Sequence, residues 1–172
     1  MKHRVFGITG WKNNGKTTMT ARLVEELTQR GYCLATVKHA HHDFDIDHEG
    51  TDSWRHRKAG AKEVAVVSSR RWALIHETEQ EEETDLARIL EKLAPCDLVL
   101  VEGYKHGDHN KLEMRRKGGK TGENLNKSDS HIVAIASDLP QDEPELPVFH
   151  IDAIPSIADF IEAHMQLKRK RN

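Results

Sequence analysis

Near the start of the chain, Gly10 to Thr17 fit the pattern Gly-x-x-x-x-Gly-Lys-Thr, the spacing of a phosphate-binding loop. Glycines there let the backbone curl until successive N–H groups face the β-phosphate of a nucleotide. Lys16 would bind the β- and γ-phosphates, and the Thr17 hydroxyl would coordinate Mg²⁺. The motif therefore predicts a site for a nucleoside triphosphate. Its phosphate-binding residues would be Gly10, Trp11, Lys12, Asn13, Asn14, Gly15, Lys16, Thr17 and Thr18.

A magnesium site of this kind needs a second acid, and Glu102 is in position for that role. It follows the apolar run 97–101, which is typical of a central parallel strand, and ligands of open α/β sheets bind at the carboxyl ends of such strands. The alternative is an ordinary charge at the end of a strand. We expect Glu102 to hold the metal together with Thr17, and Gly103 to offer its N–H group to the γ-phosphate.

Two segments compete for the recognition of guanine. Residues 126–129 spell Asn-Lys-x-Asp, a guanine-binding pattern, but they precede the predicted strand 131–136 and so lie at its wrong end. Ser137 and Asp138 leave that strand at the correct end, where the Asp138 carboxylate could accept two hydrogen bonds from N–H donors that adenine lacks on that edge. The alternative for Asp138 is a turn residue before Pro140. We predict that Ser137 and Asp138 bind guanine, so that the nucleotide is GTP.

The polar loop 39–50 is rich in histidine and aspartate, which could bind zinc or nickel. His41 and His42 are adjacent, however, without the i, i+4 spacing that points two ligands the same way on a helix, and no cysteine is near. We therefore expect a loop that senses substrate or phosphate. Its members would be His39, His41, His42 and Asp43, joined by Gly103 from the loop 103–130, with Asp43, Asp45 or Asp47 as outer-shell partners of Mg²⁺.

Apolar patterns predict the elements that position these residues. Residues 5–9 indicate a buried strand, residues 17–30 a helix that stops at Gly31, and residues 33–38 a second strand. Strand, helix and strand in this order are typical of a right-handed βαβ unit in a parallel sheet.

Further elements are predicted along the rest of the chain. They are a helix from Thr51 or Asp52 to Lys58, strands 63–68 and 72–77, a helix 81–93, strands 97–101, 131–136 and 148–151, and a helix 156–168. Strands 63–68 and 72–77 would form a hairpin that adds antiparallel strands to the sheet. Residues 103–130 are a long charged loop in which only 112–114 hint at a strand. The predicted fold is one α/β domain over residues 1–172, a P-loop NTPase three-layer sandwich with a mostly parallel sheet and an added antiparallel hairpin.

Composition limits the function classes. With 26 Lys and Arg against 28 Asp and Glu, the chain has no overall charge for binding nucleic acid, and the basic run 168–171 is typical of a solvated helix end. Cys33 and Cys96 are far apart and indicate reduced thiols. The apolar stretch 5–9 is too short for a signal peptide or a membrane span, so we expect a cytoplasmic protein.

Several segments, taken together, carry a resemblance to a known family. They are the P-loop with Lys16-Thr17-Thr18, Val37-Lys38-His39 with His41-His42-Asp43, Thr51-Asp52-Ser53 with Ala59-Gly60-Ala61, Arg71-Trp72-Ala73-Leu74, and Leu100-Val101-Glu102-Gly103-Tyr104-Lys105. Through them, and over nearly its whole length, the sequence resembles the molybdopterin-guanine dinucleotide biosynthesis adaptor family, MobB.

The resemblance implies a homodimeric, weak GTPase that assists a MobA-type nucleotidyltransferase, which joins GMP from GTP to molybdopterin. Contact with molybdopterin or with molybdenum enzymes is a further expectation. One departure is Trp11, which stands where related dimeric ATPases carry a signature lysine, so Lys12 is not expected to reach across a dimer.

Hydrolysis should be slow, because no residue stands out as the group that positions water. The arginines available for that role are Arg55, Arg57, Arg115 and Arg116. Three alternatives remain open at this point: a nickel metallochaperone GTPase, a small-molecule kinase, and a non-enzymatic adaptor whose nucleotide only sets its shape.

Overall fold

Short apolar runs of the sequence become the parallel strands of one six-stranded sheet. The structure is a computed structural model that describes residues 3–40, 44–78, 85–141, 143 and 145–168. Clustering of contacts divides the chain into two compact units, residues 1–39 with 86–172, and residues 40–85. The larger unit contains the sheet. Its elements are β1 (Val5–Thr9), α1 (Lys16–Gln29), β2 (Leu34–Lys38), α3 (Leu86–Leu90), β5 (Leu98–Glu102), β6 (Lys111–Arg115), β7 (Ile132–Ser137), β8 (Val148–His150) and α4 (Ile154–His164).

The strand order is β2-β5-β1-β6-β7-β8, and every neighbouring pair is parallel. Helices α1 and α4 cover one face, where Phe6, Ile8 and Leu100 are fully buried against them. Helix α3 and the turn after it cover Val99 and Val101 on the other face. Because parallel strands need both faces covered, this arrangement gives the predicted three layers, and the predicted fold class is confirmed.

Helix α1 forms because its apolar residues recur at helical spacing. Met19, Leu23 and Leu27 are buried at intervals of four residues, and burying each such side chain stabilises the fold by about 1.5–3 kcal/mol. The helix ends before Gly31, whose positive φ of 89° suits glycine. Arg30 then joins α1 to α4 through ion pairs with Asp159 and Glu162.

The prediction that residues 103–130 are one long loop is wrong at β6. This strand lies between β1 and β7, and all five of its residues are buried. The sequence pattern does not predict this strand, because central parallel strands are normally continuous apolar runs and β6 contains the charged residues Lys111, Glu113 and Arg115.

Two predicted helices have different bounds. Helix α3 ends at Leu90 instead of continuing to residue 93. The N–H groups of residues 92 and 93 donate to the carbonyl oxygens three residues earlier, those of Ile89 and Leu90, which is the pattern of a turn. Residues 79–84, where the predicted helix begins, lie outside the described part of the chain. Helix α4 starts two residues earlier than predicted, with Pro155 in its first turn, and ends at His164.

The smaller unit contains α2 (Asp52–Lys58), β3 (Glu63–Val67) and β4 (Trp72–His76). Thr51 caps α2 by accepting a hydrogen bond from the N–H of Trp54. The hairpin exists as predicted, but within the described part of the chain β3 pairs only with β4, in a two-stranded sheet of its own. The expectation that it extends the large sheet is therefore wrong. Alternation of side chains predicts strand and turn but does not specify which edge a hairpin joins.

Within the described ranges, no helix is long and apolar enough to cross a membrane.

Candidate functional site

The P-loop, Gly10 to Thr17, connects β1 to α1 at the carboxyl edge of the sheet. Gly10 has a φ of 142°, and a Cβ atom there would lie 2.6 Å from the carbonyl oxygen of Met114 in β6. Gly15 has a φ of 83° at the N-cap of α1. Both conformations and the close approach to β6 require glycine, so the motif has the curled backbone that phosphate binding needs.

The Lys16 ammonium lies over this loop. Its Nζ donates hydrogen bonds to the carbonyl oxygens of Gly10 and Trp11, at 3.0 and 2.9 Å. Partial burial lowers the pKa of Lys16, Lys105 and Lys38 lower it further, and Glu102 opposes them. Several positive charges therefore surround one lysine, a field that favours a polyanionic ligand.

Thr17 and Glu102 meet as predicted. The Thr17 hydroxyl donates to Oε1 of Glu102 at 2.6 Å, and the glutamate is 8% exposed. Lys38, which pairs with Glu102 in the β2–β5 register, places its Nζ 3.5 Å from the same oxygen. A hydroxyl and a carboxylate are ligands that Mg²⁺ prefers, so these residues fit the predicted metal site.

A cavity of about 330 Å³ lies over the P-loop. It is lined by Asn13, Gly15, Lys16, Thr17, Thr18, Glu102 and Arg116. The structure thus brings together six predicted site residues and Arg116, which the sequence offers only as one of several available arginines. Arg116 directly follows β6, and this position at the carboxyl end of a strand would have indicated a site residue. The sequence pattern does not show β6 clearly, so the position could not be recognised.

The literal Asn-Lys-x-Asp segment binds the chain's own buried charges. Asp129 accepts a hydrogen bond from fully buried Lys111 at 2.9 Å. Asn126, in the single-turn 3-10 helix Leu125–Lys127, accepts one from Arg115 at 2.8 Å. Partial burial would raise the pKa of Asp129, but the hydrogen bond from Lys111 brings it below its usual range. These contacts give the segment a structural role.

Ser137 and Asp138 lie at the carboxyl end of β7, on the same edge as the P-loop. Ser137 is buried, and its Oγ accepts hydrogen bonds from the backbone of Leu139 and the side chain of Gln141. Asp138 is partly exposed, and its Oδ1 accepts one from the N–H of Lys117 at 2.7 Å. Of the two, Asp138 has the accessible carboxylate.

The loop residues predicted to sense phosphate are only partly described. His41, His42 and Asp43 lie outside the described residues. The His39 ring lies 4.7 Å from the ring of Tyr104. The N–H of Gly103 donates to the carbonyl of Ile8, so it serves the sheet instead of facing a γ-phosphate.

Asp45 and Asp47, predicted as outer-shell partners of Mg²⁺, form ion pairs with Arg57 within the smaller unit. Over the described ranges, no group of three or more His, Cys, Asp or Glu side chains could hold a metal ion.

Known proteins resemble this chain over most of its length. A family model for MobB, described as molybdopterin guanine dinucleotide synthesis protein B, matches residues 5–138. The chain belongs to the MobB family. The molybdopterin-guanine dinucleotide biosynthesis adapter protein of Escherichia coli strain K12 is 39% identical over 165 residues, which cover 94% of this chain and 93% of that protein.

The adapter protein of the same name from Haemophilus influenzae is 37% identical over 159 residues, which cover 92% of this chain and 87% of that protein. The crystal structure of Bacillus subtilis MobB matches with a TM-score of 0.75 at 26% identity, covering 97% of this chain and 99% of that one. A crystal structure of molybdopterin-guanine biosynthesis protein B gives a TM-score of 0.74 at 27% identity, covering 94% and 99%.

In this MobB-family chain, residues 116–123 form a strap along the outside of the P-loop. Asn14 is nearly buried, and its Oδ1 accepts from the N–H of Arg116 at 3.0 Å while its Nδ2 donates to the carbonyl of Lys120 at 3.1 Å. The N–H of Lys120 donates to the carbonyl of Lys12 at 2.9 Å. The Asn14 side chain therefore binds the strap, and the Asn14 N–H donates to the carbonyl of Trp11 at 3.3 Å within the P-loop.

Trp11 fastens the other end of the strap. Its Nε1 donates to the carbonyl of Glu123 at 3.0 Å, and Lys105 places its Nζ 4.4 Å from the indole ring. A Cβ atom on Gly122 would lie 2.5 Å from the ring, so glycine is required for this approach. Trp11 and Asn14 thus fix the shape of the P-loop through their side chains.

We expect Asn14→Ala to lower the free energy of unfolding by about 1–3 kcal/mol, because two partly buried backbone groups would lose their partner. Urea unfolding measures this change. Lys12→Ala is the control, since only its backbone contacts the strap. Equal stability of both variants would show that the asparagine does not hold the strap.

Stability should also depend on Glu143 at low pH. The hydrogen bond from Arg115, followed by those from Lys127 and Asn126, lowers the pKa of Glu143 from 4.5 to about 2. Because this pKa is lower in the folded state, the stabilisation is complete above about pH 4.5 and is lost as the pH falls towards 2.

Urea unfolding at several pH values should therefore show stability falling between pH 4.5 and 2. In Glu143→Gln we expect lower stability at neutral pH and a flatter profile in that window. Glu145→Gln, at an exposed position two residues away, should behave like the wild type. An unchanged slope in Glu143→Gln would contradict the assignment.

Proposed function

We propose that this MobB-family protein binds GTP with Mg²⁺, hydrolyses it slowly, and acts as an adapter in molybdopterin guanine dinucleotide biosynthesis. The observation that carries the nucleotide site is the set formed by the curled P-loop, Lys16, and the Thr17–Glu102 contact of 2.6 Å, all at the carboxyl edge of the sheet. The adapter role is supported by membership of the MobB family and by the names of the relatives.

Each group of the site has a distinct task in this proposal. Backbone N–H groups of the P-loop hold the β-phosphate, and Lys16 exchanges its bonds to two carbonyl oxygens for bonds to phosphate oxygens. Thr17 and Glu102 orient Mg²⁺, which neutralises charge on the β- and γ-phosphates when bound. Lys38 beside Glu102 provides a positive charge before the metal arrives.

Slow hydrolysis is consistent with the side chains that line the cavity. Among the described residues around it there is no glutamine to orient water. Arg115 is engaged with Glu113 and Glu143, and Arg57 with Asp45 and Asp47. A long-lived nucleotide complex suits an adapter, whose bound state has to persist while a partner acts.

The choice of GTP depends on Asp138. Oδ1 of this carboxylate holds the N–H of Lys117, and Oδ2 makes no hydrogen bond within the described residues. The carboxylate is therefore held in a fixed orientation at the ligand edge, with acceptor capacity left for guanine.

The partner in this proposal is a MobA-type nucleotidyltransferase in the cytoplasm, and the protein works as a homodimer. Molybdopterin or molybdenum enzymes are further contacts of the same pathway.

Asp138→Asn should change the base preference of the nucleotide site from guanine to xanthine. The amide replaces one acceptor by a donor, which complements the C2 carbonyl of xanthine instead of the amino group of guanine. We expect GTP affinity to fall about 10–100-fold and XTP binding to appear, as measured by titration with labelled GTP, ATP and XTP.

Asp129→Asn is the matched control and should keep the preference for GTP, although it weakens a contact to buried Lys111. If Asp129→Asn changed base preference while Asp138→Asn did not, the literal Asn-Lys-x-Asp segment would be the base reader.

The metal assignment predicts a difference between Thr17→Ala and Thr17→Ser. Removing the hydroxyl should weaken GTP binding about tenfold in the presence of Mg²⁺ and have little effect in excess chelator, whereas serine retains the ligand. Glu102→Gln should resemble Thr17→Ala. Equal losses with and without Mg²⁺ would argue against a metal ligand. Single-turnover hydrolysis no faster than in buffer would favour a non-enzymatic adapter.

A further inference from the structure

Two consecutive arginines lie at the end of β6, Arg115 as its last residue and Arg116 just after it, and they have opposite environments. Arg115 is buried and forms ion pairs with Glu113 at 2.9 Å and Glu143 at 3.0 Å. Arg116 is exposed, and its guanidinium makes no hydrogen bond or ion pair within the described part of the chain. Its side chain lines the cavity over the P-loop. Arg116 therefore brings to the ligand side of the sheet a positive charge that no hydrogen bond or ion pair among the described residues engages.

The backbone of Arg116 is fixed to the P-loop. Its N–H donates to Oδ1 of Asn14 at 3.0 Å. Its side chain runs beside Gly15, where a Cβ atom would lie 3.7 Å from Cδ and 3.8 Å from Nη1 of the arginine. The guanidinium is thus held next to the glycine whose N–H group belongs to the phosphate cradle.

The strand order places Arg116 on a particular flank of the nucleotide. β1 lies between β5 and β6, so the P-loop that follows β1 has Glu102 on one side and Arg116 on the other. Glu102 and Thr17 mark the magnesium side. Arg116 lies on the side opposite these two residues, and Lys16 is the only other basic residue among the described residues that line the cavity.

We propose that Arg116 binds the α,β-diphosphate portion of the nucleotide from the flank opposite Mg²⁺. This inference rests on the proposed nucleotide site and adds a residue to it. A planar guanidinium offers paired N–H donors that match phosphate oxygens, which a lysine ammonium does not. The hydrogen bond from the N–H of Arg116 to Asn14 holds the arginine beside the P-loop.

The same segment links the phosphates to the base. Arg116 is followed by Lys117, whose N–H holds the carboxylate of Asp138. Phosphate binding by Arg116 and base reading by Asp138 therefore depend on one short piece of backbone after β6.

Titration of the full chain with labelled GTP and GDP, in Mg²⁺, tests the proposal. We expect Arg116→Ala to weaken both nucleotides equally, by about 10–100-fold, because both carry the α,β-diphosphate. Arg116→Lys should recover only part of the lost affinity, since lysine keeps the positive charge but lacks the paired N–H donors of a guanidinium. The melting temperature of Arg116→Ala should change little, because the exposed Arg116 side chain makes no hydrogen bond or ion pair among the described residues.

Arg88→Ala is the matched control, since it removes the same charge from an exposed side chain of α3 that does not line the cavity. It should bind both nucleotides like the wild type. An equal loss in Arg88→Ala would mean a general charge effect, and a loss in Arg116→Ala confined to GTP would mean a γ-phosphate contact; either result overturns the proposal.

Unchanged binding of both nucleotides by Arg116→Ala would also overturn it, while the proposed function would stand if the wild type bound GTP. If the wild type bound neither GTP nor ATP, the proposed function itself would fail.

Discussion

Burial of a charged strand in the middle of the sheet is the constraint on which the rest of the larger unit depends. β6 places Lys111, Glu113 and Arg115 out of water. Leaving one such charge unpaired costs about 3–5 kcal/mol, so the chain after the strand has to return and supply partners. Residues 125–129 and Glu143 do so, and Glu113 also accepts hydrogen bonds from the backbone of residues 125 and 126. The fold of this long segment follows from that requirement.

The returning segment also shapes the nucleotide site. On its way from β6 to residue 125, the chain passes along the P-loop as the strap and is tied there by Asn14 and Trp11. Met114 of β6 leaves no space for a side chain at Gly10. The phosphate-binding loop is therefore supported by tertiary contacts from β6 as well as by its own glycines, which gives it a defined shape for binding.

The position of β1 between β5 and β6 divides the site into two sides. The β5 side carries Glu102, whose carboxylate suits a metal ion, and, through β2, Lys38, which pairs with that carboxylate. The β6 side carries Arg116 and leads to Asp138, which suit phosphate and base. In the proposed function, this strand order places the metal ligand and the residues for phosphate and base on opposite flanks of one loop, at the carboxyl edge where open α/β sheets bind ligands.

The sequence by itself determined the features that depend on local pattern. The P-loop, the helix after it, the apolar strand before Glu102 and the placement of the Asn-Lys-x-Asp segment ahead of β7 all follow from spacing and hydrophobicity. Only the tertiary structure decided that a charged segment is a central strand, that the 63–76 hairpin pairs with itself, and that Arg116 reaches the P-loop. These depend on contacts between residues far apart in the chain, because a buried charge is stabilised by partners that no local pattern contains.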